Sequence, residues 1–95
     1  AATVGRWRPR VGVRVIARVE CRCEAAAEQL PIAVWLAGER IPVDEILADS
    51  VEGPVEAGQP AERHVKVRLG DGQVLRLVRE LPLGEWRVYR ERLRG

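Results

Sequence analysis

Between residues 11 and 23 the chain alternates with period two. Val11, Val13, Val15, Ala17, Val19, Cys21 and Cys23 occupy the odd positions, and Gly12, Arg14, Ile16, Arg18, Glu20 and Arg22 lie between them. Successive side chains of an extended chain point to opposite faces, so this stretch predicts one long, half-buried β-strand. Its inner face is apolar and its outer face charged.

The rest of the chain repeats the pattern in shorter pieces. Residues 32–37 form a second predicted strand, closed by a turn at Ala37-Gly38-Glu39. Residues 40–43 resume an extended run, with Pro42 marking an edge or a strand start. Residues 44–49 suit a short helix or a continuing strand, and the strand is favoured. Two glycines and two prolines make residues 51–60 a loop. Arg63, Val65, Val67 and Leu69 then alternate with His64, Lys66 and Arg68, and the turn Gly70-Asp71-Gly72 returns the chain through residues 73–79. Trp86 to Tyr89 form the last strand after Leu81-Pro82-Leu83-Gly84. Residues 24–29 have the composition for one helical turn, but so short a helix is marginal without packing, and they read as a connector. The expected fold is all-β: a small antiparallel barrel or sandwich of about six strands.

At 95 residues the chain fits one domain, with a basic N-terminal arm over 1–10, a β core over 11–90 and a frayed end over 91–95. Apolar residues make up 46 % and charged residues 32 %, with a net charge of +2, which excludes a disordered polar tract. No apolar run approaches the roughly eighteen residues of a membrane span, and residues 1–5 carry no signal-type stretch. Two cysteines are too few for a disulfide framework. These features predict a soluble, cytoplasmic domain. Fifteen arginines stand against one lysine, with no asparagine, as a GC-rich genome or a hot habitat would produce. Ser50 and Thr3 are the only aliphatic hydroxyls, so few nucleophiles are available.

Charge is sorted along the chain. Residues 1–24 carry +4, residues 39–62 carry −6 and residues 63–95 carry +5. Acidic and basic strands lying side by side would give cross-strand pairs on the wet face, each adding about 0–1 kcal/mol. A second reading assembles a basic patch from the two ends: Arg6, Trp7, Arg8 and Arg10 with Arg87, Tyr89, Arg90, Arg92 and Arg94. Arginine beside aromatic rings suits phosphate contact combined with base stacking. A partner-protein surface is the third.

The catalytic inventory is thin. Cys21 and Cys23 share a strand face, cannot readily bridge each other, and read as small buried apolar residues. With His64 the sole histidine, a Cys-Cys-His metal site would still want a fourth ligand, and no metal or cofactor is expected. His64 falls on the polar face of its strand and reads as solvated, and nothing local would activate a Cys–His pair. Asp44, Glu45 and Asp49 read as a solvated acidic stretch rather than a metal-assisted hydrolase centre. Trp35 and Trp86 read as core anchors, whereas Trp7, outside the clear strands, suits a lid or an exposed contact equally.

From Pro31 onward the order of features resembles a known family. Pro31 with Trp35, then Gly38-Glu39-Arg40, Val43, Ile46-Leu47 and Asp49, resembles a small bacterial domain of unknown function. Leu75, Leu77, Arg79 and Gly84-Glu85-Trp86-Arg87-Val88-Tyr89 are similar to its final hairpin. That domain occurs alone and at the C-terminus of catalytically defective Y-family-polymerase-like mutasome proteins. The family usually places tryptophan after the aspartate, where this chain has Ser50 and Val51, and further aromatics ahead of its third alternating strand. The resemblance implies an accessory module in DNA metabolism and no catalytic residue.

The resulting expectation is a non-enzymatic β binding module with a basic, nucleic-acid-facing surface. The alternative is a protein–protein adaptor or homodimer that uses segregated acidic and basic faces.

Overall fold

The computed structural model describes residues 12–23, 29–53, 56–82 and 84–91. Seven antiparallel strands form one curled half-barrel, with no helix among the described residues: β1 (Gly12–Val15), β2 (Ala17–Cys23), β3 (Gln29–Leu36), β4 (Glu39–Glu52), β5 (Glu62–Leu69), β6 (Val74–Glu80) and β7 (Trp86–Glu91). One expectation is corrected here. The first alternating stretch is not one strand but two, broken at Ile16, which raises the count from about six to seven.

That break shapes the fold. The sheet order is β1-β7-β6-β5-β4-β3-β2, so β1 and β2 stand at opposite ends although Ile16 alone separates them. The two ends are thereby drawn together and the sheet must curl. Ladder irregularities at Glu20/Cys21, Val43/Glu45 and Ile46/Ala48 add bends of the kind β-bulges supply.

The stretch left open between helix and strand, residues 44–49, is strand. β4 pairs with β3 through Pro42 and with β5 from Val43 onward. Proline has no N–H for a ladder, so Pro42 marks the point where β4 changes partner. Among the described residues, the far half of β4 has a ladder on one side only. Asp44, Glu45 and Asp49 lie there, exposed, and charge on an open edge discourages pairing with another chain. β4 also extends through Val51 and Glu52, and β3 starts at Gln29, so both strands are longer than the sequence predicts. Residues 24–28 of the expected connector and the arm over 1–10 lie outside the described residues.

The core fills the concave face. Val34, Leu36, Ile41, Val65, Val67, Leu69, Leu75, Leu77 and Val88 are buried together, with Val15, Ala17, Val19, Val43, Ile46 and Trp86 packed against them. These are the period-two positions of their strands. Burial of each large aliphatic side chain adds about 1.5–3 kcal/mol.

Candidate nucleic-acid interface

The face opposite the core is set by the same alternation. Arg14 of β1 stands opposite Tyr89 of β7, Tyr89 opposite Arg76 of β6, and Arg76 opposite Lys66 of β5. Directly opposed residues share a face. Three cations and a phenol therefore lie in one row across four strands, spanning about 14 Å at the usual spacing between strands. Arg14 is exposed, Lys66 and Arg76 are half-buried, and Tyr89 is 9 % exposed. Arg87, two residues before Tyr89, joins this face and donates to Glu62 Oε2 at 3.1 Å. Lys66 and Arg76 face each other directly across the β5–β6 ladder, so two of the cations stand side by side in the row.

The sequence-predicted patch is thus divided. Arg87 and Tyr89 share the outer face. Arg90 alternates to the other side, opposite Val13 and Leu75, and donates to Gln73 Oε1 at 3.1 Å. Arg6, Trp7, Arg8, Arg10, Arg92 and Arg94 lie outside the described residues. Sequence reasoning missed Arg14, Arg76 and Lys66 as partners of Tyr89. The hairpin turn at residues 70–72 carried the signal for Lys66 opposite Arg76. Arg14 opposite Tyr89 joins the two ends of the chain and left no local trace.

The acidic strand beside the basic one forms the expected wet-face pairs at Arg68, whereas Arg63, which shares the parity of core Val65 and Val67, makes its pair on the core side. Arg68 contacts Glu45, and Asp44 Oδ2 at 3.5 Å; Arg63 grips Asp49 through Nε at 3.0 Å and Nη2 at 2.7 Å. Arg40 holds both oxygens of Glu20, at 2.9 and 3.2 Å, and the Trp35 indole donates to the same carboxylate at 3.1 Å. These bonds, Arg40's first, hold the Glu20 carboxyl below its ordinary range.

Three expectations are corrected. His64 is on the outer face as predicted, but it is not solvated: only 4 % of it is exposed, with Nε2 3.1 Å from Glu62 Oε1. β5 is an interior strand, and Ser50 and Val78 flank His64 from both sides. Cys21 is only half-buried and Cys23 is exposed, because they stand at the open end of β2 beyond its bulge. Burial, the largest cause, nonetheless pushes the Cys21 thiol up, against a hydrogen bond with Trp86. Trp86 is a core anchor, its indole donating to Gln29 Oε1 at 3.2 Å. Trp35 is not. It lies opposite Arg18 and Arg40, away from the core, with the Arg18 guanidinium 5.1 Å from its ring centre.

Among the described residues, no group of three His, Cys, Asp or Glu is placed to hold a metal ion. Cys21 meets Trp86 on the core side while His64 lies on the outer face, so the sheet separates them. No family model, curated protein or solved structure matches the chain.

Proposed function

We propose that this chain is a non-enzymatic β module, accessory to DNA metabolism, whose outer face binds the phosphate backbone of nucleic acid. The observation that carries this reading is the row Arg14, Tyr89, Arg76, Lys66, with Arg87 beside it. Basic groups set side by side across a rigid ladder can follow a line of phosphates without rearrangement. The resemblance of Pro31 to Asp49 and of Leu75 to Tyr89 to the mutasome-associated domain supports the same direction.

Titration of labelled DNA at two salt concentrations tests it. Four phosphate contacts give a slope of log K against log salt of about −3. Micromolar binding with such a slope is expected, and Lys66→Glu or Arg14→Glu weakens it. Absence of binding at low salt removes the reading.

The adaptor or homodimer alternative draws on the acidic half of β4. Asp44, Glu45 and Asp49 there are already engaged by Arg68 and Arg63 of the same chain, which leaves less charge for a second copy. Light scattering at low salt distinguishes the two: the favoured reading gives a monomer.

A further inference from the structure

The break at Ile16 leaves an open groove of about 660 Å³ between the β1–β2 bend and the β3–β4 turn. Ile16, Arg18, Trp35, Gly38 and Arg90 are among the residues lining it. The tight turn Ala37-Gly38 forms part of its lining, both residues having positive φ, at 51° and 82°. Ile16 is 96 % exposed and stands at this groove, so its apolar side chain is open to a ligand there. Trp35 and Arg18, one over the other, provide a flat aromatic and cationic surface. The Glu20 carboxylate, itself held by Arg40, fixes the Trp35 indole.

Resting on the reading of the outer face as a phosphate-binding surface, we infer that this groove takes unstacked bases, so that the module selects single-stranded over duplex nucleic acid. Arg14 is two residues from Ile16, so the cation row runs directly to the rim of the groove. A strand whose phosphates follow Lys66, Arg76 and Arg14 reaches that rim with its bases free to enter. There Ile16 offers an apolar contact, while Trp35 with Arg18 offers a stacking surface. Sequence-tolerant stacking of this kind is the usual basis of single-strand binding. Duplex bases are paired and stacked internally, so duplex DNA engages the cation row alone.

The test compares a labelled oligodeoxythymidylate of about fifteen nucleotides, within the reach of a small single-strand binding module, with a duplex of equal length. The intact chain binds the single strand at least tenfold more tightly. Ile16→Ser and Arg18→Ala, both surface changes, each weaken single-strand binding about five- to a hundredfold; duplex binding is unchanged by the neutral Ile16→Ser and falls by at most about threefold with Arg18→Ala, through the lost charge. Lys66→Glu weakens both. Equal binding of the two DNAs, or indifference to Ile16→Ser and Arg18→Ala, overturns the inference while the phosphate-binding reading stands. Failure to bind either DNA at low salt overturns both. A dimer that Ile16→Ser returns to monomer also overturns it, because a second copy then fills the groove.

Discussion

The Arg63 guanidinium and the Asp49 carboxylate form a two-pronged pair, Nε to Oδ1 at 3.0 Å and Nη2 to Oδ2 at 2.7 Å, where β4 has left β3. The third nitrogen, Nη1, donates to the Gln29 carbonyl of β3 at 2.6 Å. One side chain thereby spans strands that no longer share a ladder. Arg63 is mostly buried, whereas Asp49 is more open, so Coulomb attraction alone is not the main effect. What matters is the charge-assisted bonding and the carbonyl satisfied on the far strand.

Arg63→Ala should therefore cost about 2–3 kcal/mol, most of it from the abandoned Gln29 carbonyl and the lost packing on Trp86. Arg63→Lys should recover only a minor part, since an ammonium cannot make the forked contact. Denaturant midpoints of both variants and of Asp49→Asn check this. An Arg63→Ala loss no larger than that of Asp49→Asn would mean that the reach to β3 contributes nothing.

Gly84 should tolerate no side chain. A Cβ there would meet the Glu80 carbonyl oxygen at 2.6 Å, while the Gly84 amide donates to that same oxygen at 2.7 Å. Arg79 also donates to the Gly84 carbonyl at 3.0 Å, and contacts the Pro82 carbonyl, so the turn has little freedom to move aside. Gly84→Ala should cost about 1–3 kcal/mol, which at this size lowers Tm by about 4 °C or more. A scan of Tm for the variant decides it, and an unchanged value refutes the crowding argument.

Much of this architecture was legible in the alternation. Val65, Val67, Leu75, Leu77 and Val88 all face the core from the positions their period-two pattern assigns. The same parity puts Arg63 and Arg79 on the apolar face, so inward arginines too are written in the alternation. The break at Ile16 was not legible, because nothing local distinguishes a strand that bends from one that continues; the bend serves contacts with β7 and β3, far away in sequence. Burial of His64 escaped for a related reason. Alternation tells which face a residue takes, whereas its exposure depends on whether strands flank it on both sides. Trp35 differs because a strand position alone does not say which face is inner, and its register sets it opposite the outward Arg18.

Acid should loosen the far side of the sheet through Glu20. Its carboxyl, held first by Arg40 and then by the Trp35 indole, ionises below its ordinary value of 4.5. A group whose folded pKa is lowered adds stability that is present above its unfolded pKa and lost as pH falls through the folded one. Stability should therefore decline below about pH 4.5. Glu20→Gln should flatten that part of the decline while lowering stability at neutral pH. Denaturant midpoints across the acid range, for both chains, measure it; parallel curves would sink the assignment.

The two thiols should differ in reactivity although they stand on one strand. Thiolate is the reactive form, and burial raises the Cys21 pKa above its ordinary 9.0 and shields the sulfur beside Trp86. Cys23 is exposed. Iodoacetamide at pH 8 should label Cys23 first, with Cys21 modified slowly in the native chain and at an ordinary rate once denaturant is added. Because the raised folded pKa favours the neutral thiol, Cys21 also withdraws stability as pH climbs past the unfolded thiol value. Cys21→Ser should blunt that alkaline loss. Peptide mapping after timed labelling separates the sites. Equal rates for both would mean that the end of β2 opens faster than the reagent reacts, and that the Trp86 contact does not protect the sulfur.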